Sequence, residues 1–211
     1  MKAHTALINE TRGLLHEYGL VVPPGALTFR THVLATLAAN EAKLTSMSQA
    51  LFQQLEEELA AIEERLARYD AQLTRLARSH PVCQRLMTIP GLGELTATAL
   101  VAAVSDAAQF KNGRQFAAWL GLVPRQHSRG GKSRLLGISK RGDMYLRTLL
   151  VHGARSCLRW VDRQRDRRSQ WARSLLERQG WNRAAVALAH KNARVAWVLL
   201  RTDQVYCAAN V

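Results

Sequence analysis

Between Leu122 and Gly142 the chain gathers residue types that can grip a phosphodiester. This stretch holds six basic side chains (Arg125, Arg129, Lys132, Arg134, Lys140 and Arg141), three hydroxyls (Ser128, Ser133 and Ser139), four glycines and no acid. Guanidinium and ammonium donors suit phosphate oxygens, and a segment with so little to bury is ordered by what it binds. A serine hydroxyl is a weak nucleophile at neutral pH. Attack on phosphorus asks for an activating base or metal and for donors facing the developing charge, and Arg125, Arg129, Lys132 and Arg134 can supply the donors. His127 is a candidate base by adjacency alone, and sequence neighbours point apart as often as together. Ser133 and Ser139 read as phosphate contacts or helix caps.

A second candidate contact precedes it. From Leu86 to Leu100 an apolar helix end, a tight Pro90-Gly91-Leu92-Gly93 turn and a small-residue helix follow one another, the order of a helix-hairpin-helix over about 84–104. Gly91 and Gly93 would permit positive φ in the turn and let backbone N–H groups reach a phosphate with no side chain in the way. A helical hairpin with a purely structural role is the alternative reading of the same residues.

The elements that must position these residues are helical. Pro81 opens the second region. Phe116, Ala117 and Leu120 form an apolar stripe capped by Gly121, with Trp119 read as core and not as a base-stacking platform. Asp143, directly after Gly142, is an N-cap for a helix carrying Tyr145, Leu146, Leu149, Leu150, Ala154, Leu158 and Val161, after which comes the charged run 162–168. A last, alanine-rich helix is predicted from about Asn182 to Leu200. Upstream, a short helix over 5–18 ends at Gly19 and the Pro23-Pro24-Gly25 turn. Residues 31–79 then contain neither Gly nor Pro, and Leu55, Leu59, Ile62, Leu66, Tyr69, Leu73 and Leu76 alternate spacings of four and three, an a/d heptad seam flanked by Glu and Arg. The predicted fold class is all-α: a long antiparallel or oligomerising coiled-coil helix over 31–80, then a compact helical domain over 81–211 with a helix-hairpin-helix and a basic Gly/Ser-rich loop. A long helix packing only on its own domain would show the same seam.

Charge divides the chain the same way. Residues 1–80 carry 8 basic and 9 acidic side chains, whereas residues 81–211 carry 22 and 7, so the whole excess of +14 belongs to the second part. A polyanion would bind there, and release of its counterions would make the affinity steeply salt-dependent. The bases alternate with Gly, Ser and Gln instead of lining an amphipathic helix, which argues against a membrane surface. The longest nearly uncharged apolar stretch, Leu95 to Val104, is about half of a bilayer span, and the N-terminus lacks a secretory pattern, so a cytoplasmic protein without membrane partners is expected. Cys83, Cys157 and Cys207 are odd in number and far apart, and each is expected to be a buried, apolar side chain rather than part of a disulfide or metal site.

Five blocks carry a family resemblance: Ile89-Pro90-Gly91-Leu92-Gly93, Phe116 through Arg125, Ser128-Arg129-Gly130-Gly131-Lys132, Ile138 through Gly142, and Tyr145 through Leu150. In this order they resemble the C-terminal part of transposases of the IS-one-ten (IS116/IS902-like) family, the insertion sequences moved by a bridge-RNA-guided recombinase. Residues 1–30 then resemble the linker to a catalytic domain, and 31–80 the family's coiled coil. The resemblance implies DNA as partner, a structured bridge RNA beside it, and self-association or pairing with a full-length transposase through the coiled coil. It implies that a serine attacks DNA to give a 5′-phosphoserine intermediate, and Ser128 is the position that fits. Gly91, Gly93, Arg125, Arg129, Lys132, Arg134, Lys140 and Arg141 are the candidate nucleic-acid contacts. The family's RNase-H-like domain, with four acidic residues holding Mg²⁺, has no counterpart in the sequence, so an N-terminally truncated, non-autonomous transposase is expected, with no metal or cofactor site of its own. A non-catalytic helix-hairpin-helix nucleic-acid-binding module with a dimerisation arm is the competing reading.

Overall fold

The computed structural model describes residues 2–129 and 134–207, and the chain divides into two compact units, Met1–Gln72 and Leu73–Val211. The architecture is all-α apart from one pair of short strands. In the first unit, α1 (Lys2–Glu17) stops where Gly19 takes a left-handed φ of 69° and Leu20 N–H donates back to the Leu15 carbonyl. After the two prolines, α2 (Ala26–Ala39) leads to α3 (Ser46–Ser79). Their apolar faces close a small core of Leu7, Ile8, Leu15, Phe29, Val33, Phe52, Leu55 and Leu59. Glu63 of α3 ties both shorter helices down, with His4 Nε2 and Arg30 Nε each 3.2 Å from its carboxylate.

The continuous helix expected over 31–80 is two helices, interrupted at Asn40–Thr45. Asn40 caps α2, its backbone N–H donating to the Leu37 carbonyl and its side-chain amide to that of Thr36. Thr45 then starts α3 by accepting the Ser48 backbone N–H on its Oγ1 at 3.2 Å. Of the heptad seam, Leu55 and Leu59 are buried in this unit's own core and Ile62 packs against it, whereas Leu66 and Leu73 are half-buried and Tyr69 and Leu76 exposed.

The second unit strings together α4 (Pro81–Met87), α5 (Glu94–Ala103), α6 (Gly113–Trp119), β1 (Pro124–Gln126), β2 (Leu135–Ile138), α7 (Met144–Leu158), α8 (Arg167–Gln179) and α9 (Trp181–Arg201). Its centre is α9, which packs on α4, α6, α7 and α8. Ala184, Ala185, Leu188, Ala189, Ala193 and Ala196 form its buried stripe, and such small side chains let four neighbours approach one helix closely. Asp143 and Asp166 are N-caps, accepting the backbone N–H of Leu146 at 2.9 Å and of Ser169 at 3.0 Å. Burial pushes the Asp166 carboxyl up, but hydrogen bonds from Ser169 and from its own backbone N–H, with the Arg168 charge, together hold it below the ordinary value. The three cysteines are free. Cys83 is buried, and burial raises its thiol pKa, but Cys157 is half-buried and Cys207, beyond the end of α9, is exposed, contrary to the expectation of three buried thiols. Among the described residues no helix is long and apolar enough to cross a membrane.

Candidate nucleic-acid interface

The basic stretch expected as a loop is a two-stranded antiparallel ribbon. Pro124 pairs with Ile138 and Gln126 with Leu135, with an irregularity between, and His127 N–H donates to the Arg134 carbonyl at 2.9 Å. Two strands alone are marginal in water, so the anchoring of the base decides whether the ribbon holds. Leu122 N–H donates to the Ala117 carbonyl and Gly121, at φ 71°, turns the chain out of α6. A Cβ on Gly121 would collide with the Arg141 carbonyl, and one on Gly142 with that of Trp119, so both ends of the ribbon press backbone to backbone against the end of α6. Lys140 N–H donates to the Gly121 carbonyl at 3.2 Å, Lys140 itself taking a left-handed φ of 55°. From α7, Arg147 donates to the Leu120 carbonyl at 3.2 Å.

On this anchored ribbon Arg125, Ser128, Arg129, Arg134, Lys140 and Arg141 are all exposed. Lys132 lies outside the described residues, as do Gly130, Gly131 and Ser133. The Ser128 hydroxyl accepts a hydrogen bond from Gln126 Nε2 at 2.8 Å, a local contact just beyond the end of β1 that sequence reading missed. That bond is the one seen at Ser128 Oγ among the described residues, and His127 makes none to it. Ser139 accepts the Arg141 backbone N–H at 3.4 Å, a turn cap.

The two glycines of the Pro-Gly turn have different duties. Gly91, at φ 93°, faces α7: a Cβ there would stand 2.7 Å from the Gly153 carbonyl and 2.8 Å from Cys157 Sγ. Its missing side chain serves packing between the turn and α7. Gly93 has φ −92°, not the left-handed value expected, and precedes α5 with open space where a Cβ would be. Gly93 is thus the accessible one. Gly153 lies ten residues beyond Asp143, so the turn meets α7 about 15 Å along the helix from the ribbon base.

Behind the turn is a polar cluster that periodicity did not reveal. Arg168 of α8, 5% exposed, donates through Nη2 to the Pro90 carbonyl at 3.0 Å and to Asn192 Oδ1 at 2.9 Å. Asn192 of α9, 1% exposed, donates to the same carbonyl at 3.1 Å. A lone Asn inside the alanine stripe of α9 was the available signal. The described residues contain no group of three or more His, Cys, Asp or Glu able to hold a metal ion.

The second unit is thus a helical domain with an exposed basic ribbon at the end of α6 and a Pro-Gly turn packed against α7. Residues 83–172 match the family described as "Transposase IS116/IS110/IS902 family" and belong to it. Over 210 residues the chain is 48% identical to the "Transposase for insertion sequence element IS1111A" of Coxiella burnetii, covering 99% of this chain and 58% of that protein. It is 48% identical over 207 residues to the "Probable family 20 transposase" of Pseudomonas aeruginosa, covering 98% and 61%. With the "Transposase for insertion sequence element IS1328" of Yersinia enterocolitica it shares 37% over 198 residues, covering 94% and 58%. The chain therefore spans about three fifths of the length of these relatives.

Proposed function

We propose that this chain is the DNA-gripping, serine-bearing part of an insertion-sequence transposase, working by strand exchange through a serine-linked DNA intermediate. The observation that carries the reading is the exposed ribbon, which carries Ser128 together with Arg125, Arg129 and Arg134 in a stretch with no carboxylate between residues 122 and 142. Ser128 Oγ attacks phosphorus, an Oγ–P bond forms as the P–O3′ bond breaks, and the proton lost by the serine is balanced by the one the departing 3′-oxygen takes up. A free 3′-hydroxyl reverses the step, restoring the serine and joining a new strand. Arg125, Arg129 and Arg134 neutralise the non-bridging oxygens. Gln126 orients Oγ by donating to it and leaves the hydroxyl proton free to depart.

In this reading the Mg²⁺ ligands that the resemblance calls for are not among the described residues. DNA is the partner of the ribbon and of Gly93, a structured bridge RNA is the second nucleic acid, and the open part of the α3 seam serves assembly. A suicide DNA substrate, whose nicked strand diffuses away after attack, tests it with Mg²⁺ present. The chain is expected to give a covalent adduct that Ser128→Ala abolishes, at least a hundredfold loss, and Ser139→Ala retains. Salt-sensitive retention with no adduct would establish the non-catalytic binding module instead.

A further inference from the structure

A second set of cations converges at the opposite end of α6 from the ribbon. Gly113 sits against the backbone of α9, its would-be Cβ 3.1 Å from the Arg194 carbonyl, so the first turn of α6 lies directly on α9. That approach brings Arg114 beside Lys191 and Arg194 around an open groove of about 660 Å³ whose walls include Val195, Trp197 and Val198. Among the described residues no carboxylate forms an ion pair with any of the three cations. Lys191 is half-buried, with its ammonium 4.7 Å from the centre of the Trp171 ring. Burial, then the Arg168 and Arg194 charges, lower its pKa, with Asp166 pulling the other way. His190 next to it is lowered by burial and by Arg194 and Arg114. Like charges held together in this way repel one another until an anion joins them.

We infer that this α6–α9 groove is a second nucleic-acid site, which takes one unpaired strand, phosphates on the cationic rim and bases against the apolar wall. Charge complementarity names a polyanion. Lys191 and Arg194 are three residues apart on one helix, about 4.5 Å along its axis, so both cations line the same groove as Arg114. The apolar wall of Val195, Trp197 and Val198 separates a single strand from a duplex, because only an unpaired base has a face to lay on it. α6 has seven residues, so the groove and the ribbon base are about 10 Å apart along it, and one strand leaving the ribbon can reach the groove within a few nucleotides.

The inference rests on the nucleic-acid reading above, and its test separates the two. Fluorescence anisotropy of the full chain with a labelled single-stranded DNA oligonucleotide, and with the duplex of the same sequence, compares the parent with Arg114→Gln/Arg194→Gln and with Arg125→Gln/Arg129→Gln. All four side chains are exposed, so folding is preserved, and circular dichroism checks it. The groove variant is expected to bind the single strand at least tenfold more weakly, with its salt slope reduced by about 1.4, two contacts at about 0.7 each, while its duplex binding stays within twofold. Unchanged single-strand binding by the groove variant, alongside loss in the ribbon variant, would overturn the groove and leave the ribbon reading standing. Equal loss of duplex and single strand would overturn the single-strand assignment. Displacement of the oligonucleotide by polyglutamate of equal charge at the same concentration would replace it with an acidic-peptide site. Failure of the parent to bind either nucleic acid at low salt would remove the nucleic-acid reading itself and this site with it.

Discussion

Arg168 shows how a single side chain can hold a turn in place. Its side chain is almost fully buried, forms no ion pair among the described residues, and has Nη2 shared between the Pro90 carbonyl and Asn192. Burying a cation is unfavourable in itself, so the sign of a substitution depends on what is left behind. Arg168→Met strands the Asn192 Oδ1 acceptor in the core, which costs about 1–3 kcal/mol, and the loss is expected as a lower urea midpoint. Arg168→Lys should not restore it, because an ammonium lacks the planar fork. Arg168→Met combined with Asn192→Leu removes the stranded Asn192 acceptor but takes both donors from the Pro90 carbonyl, so the losses should not add. Additive losses in that cycle would show that the two side chains act independently.

At the scale of elements, the turn and α7 meet through two glycines, and the fold depends on both being small. Gly153 sits inside a helix, where replacing Gly by Ala ordinarily stabilises by roughly 0.5–1 kcal/mol. Here a Cβ would collide with the Gly91 carbonyl. Gly153→Ala is therefore expected to destabilise, by about 1–3 kcal/mol as for other overpacked sites, and thermal unfolding reads the sign directly. A raised melting temperature would mean that the turn does not sit against α7. The ribbon follows the same logic, since Gly121 and Gly142 let its base lie against the end of α6 where two strands alone would fray.

For the molecule as a whole, the core of the first unit uses only part of α3, a helix whose last residues belong to the second unit. Leu55 and Leu59 lie in that unit's core, while Leu66, Tyr69, Leu73 and Leu76 continue the heptad register with their side chains half or largely exposed. If a second copy pairs along this stretch, Leu66→Glu/Leu73→Glu should convert an oligomer into a monomer in analytical ultracentrifugation without lowering helicity, because neither residue belongs to the buried core of either unit. A parent that sediments as a monomer at tens of micromolar would sink self-association through α3.

Much of the element pattern was legible in one dimension. The capping role of Asp143, the turn at Gly121 and the alanine stripe of α9 are set by residues within one helical turn of each other, so local backbone chemistry decides them. The break at Asn40–Thr45 was equally local, with an Asn cap and a Thr-x-x-Ser start, yet the absence of Gly and Pro masked it. Helix α8 was hidden by its charged start, because Arg168 is buried against distant acceptors that no local pattern marks. The sequence by itself determined the chemistry on offer: an acid-free run of cations and hydroxyls on a helical scaffold, with the net charge confined to one part of the chain. Tertiary structure alone decided that this run is a ribbon pressed onto α6, that Gly91 packs while Gly93 stays open, and that Arg114 meets Lys191 and Arg194. Each of these depends on backbones brought together from tens of residues apart, and their closeness is set by core packing and not by neighbouring residues.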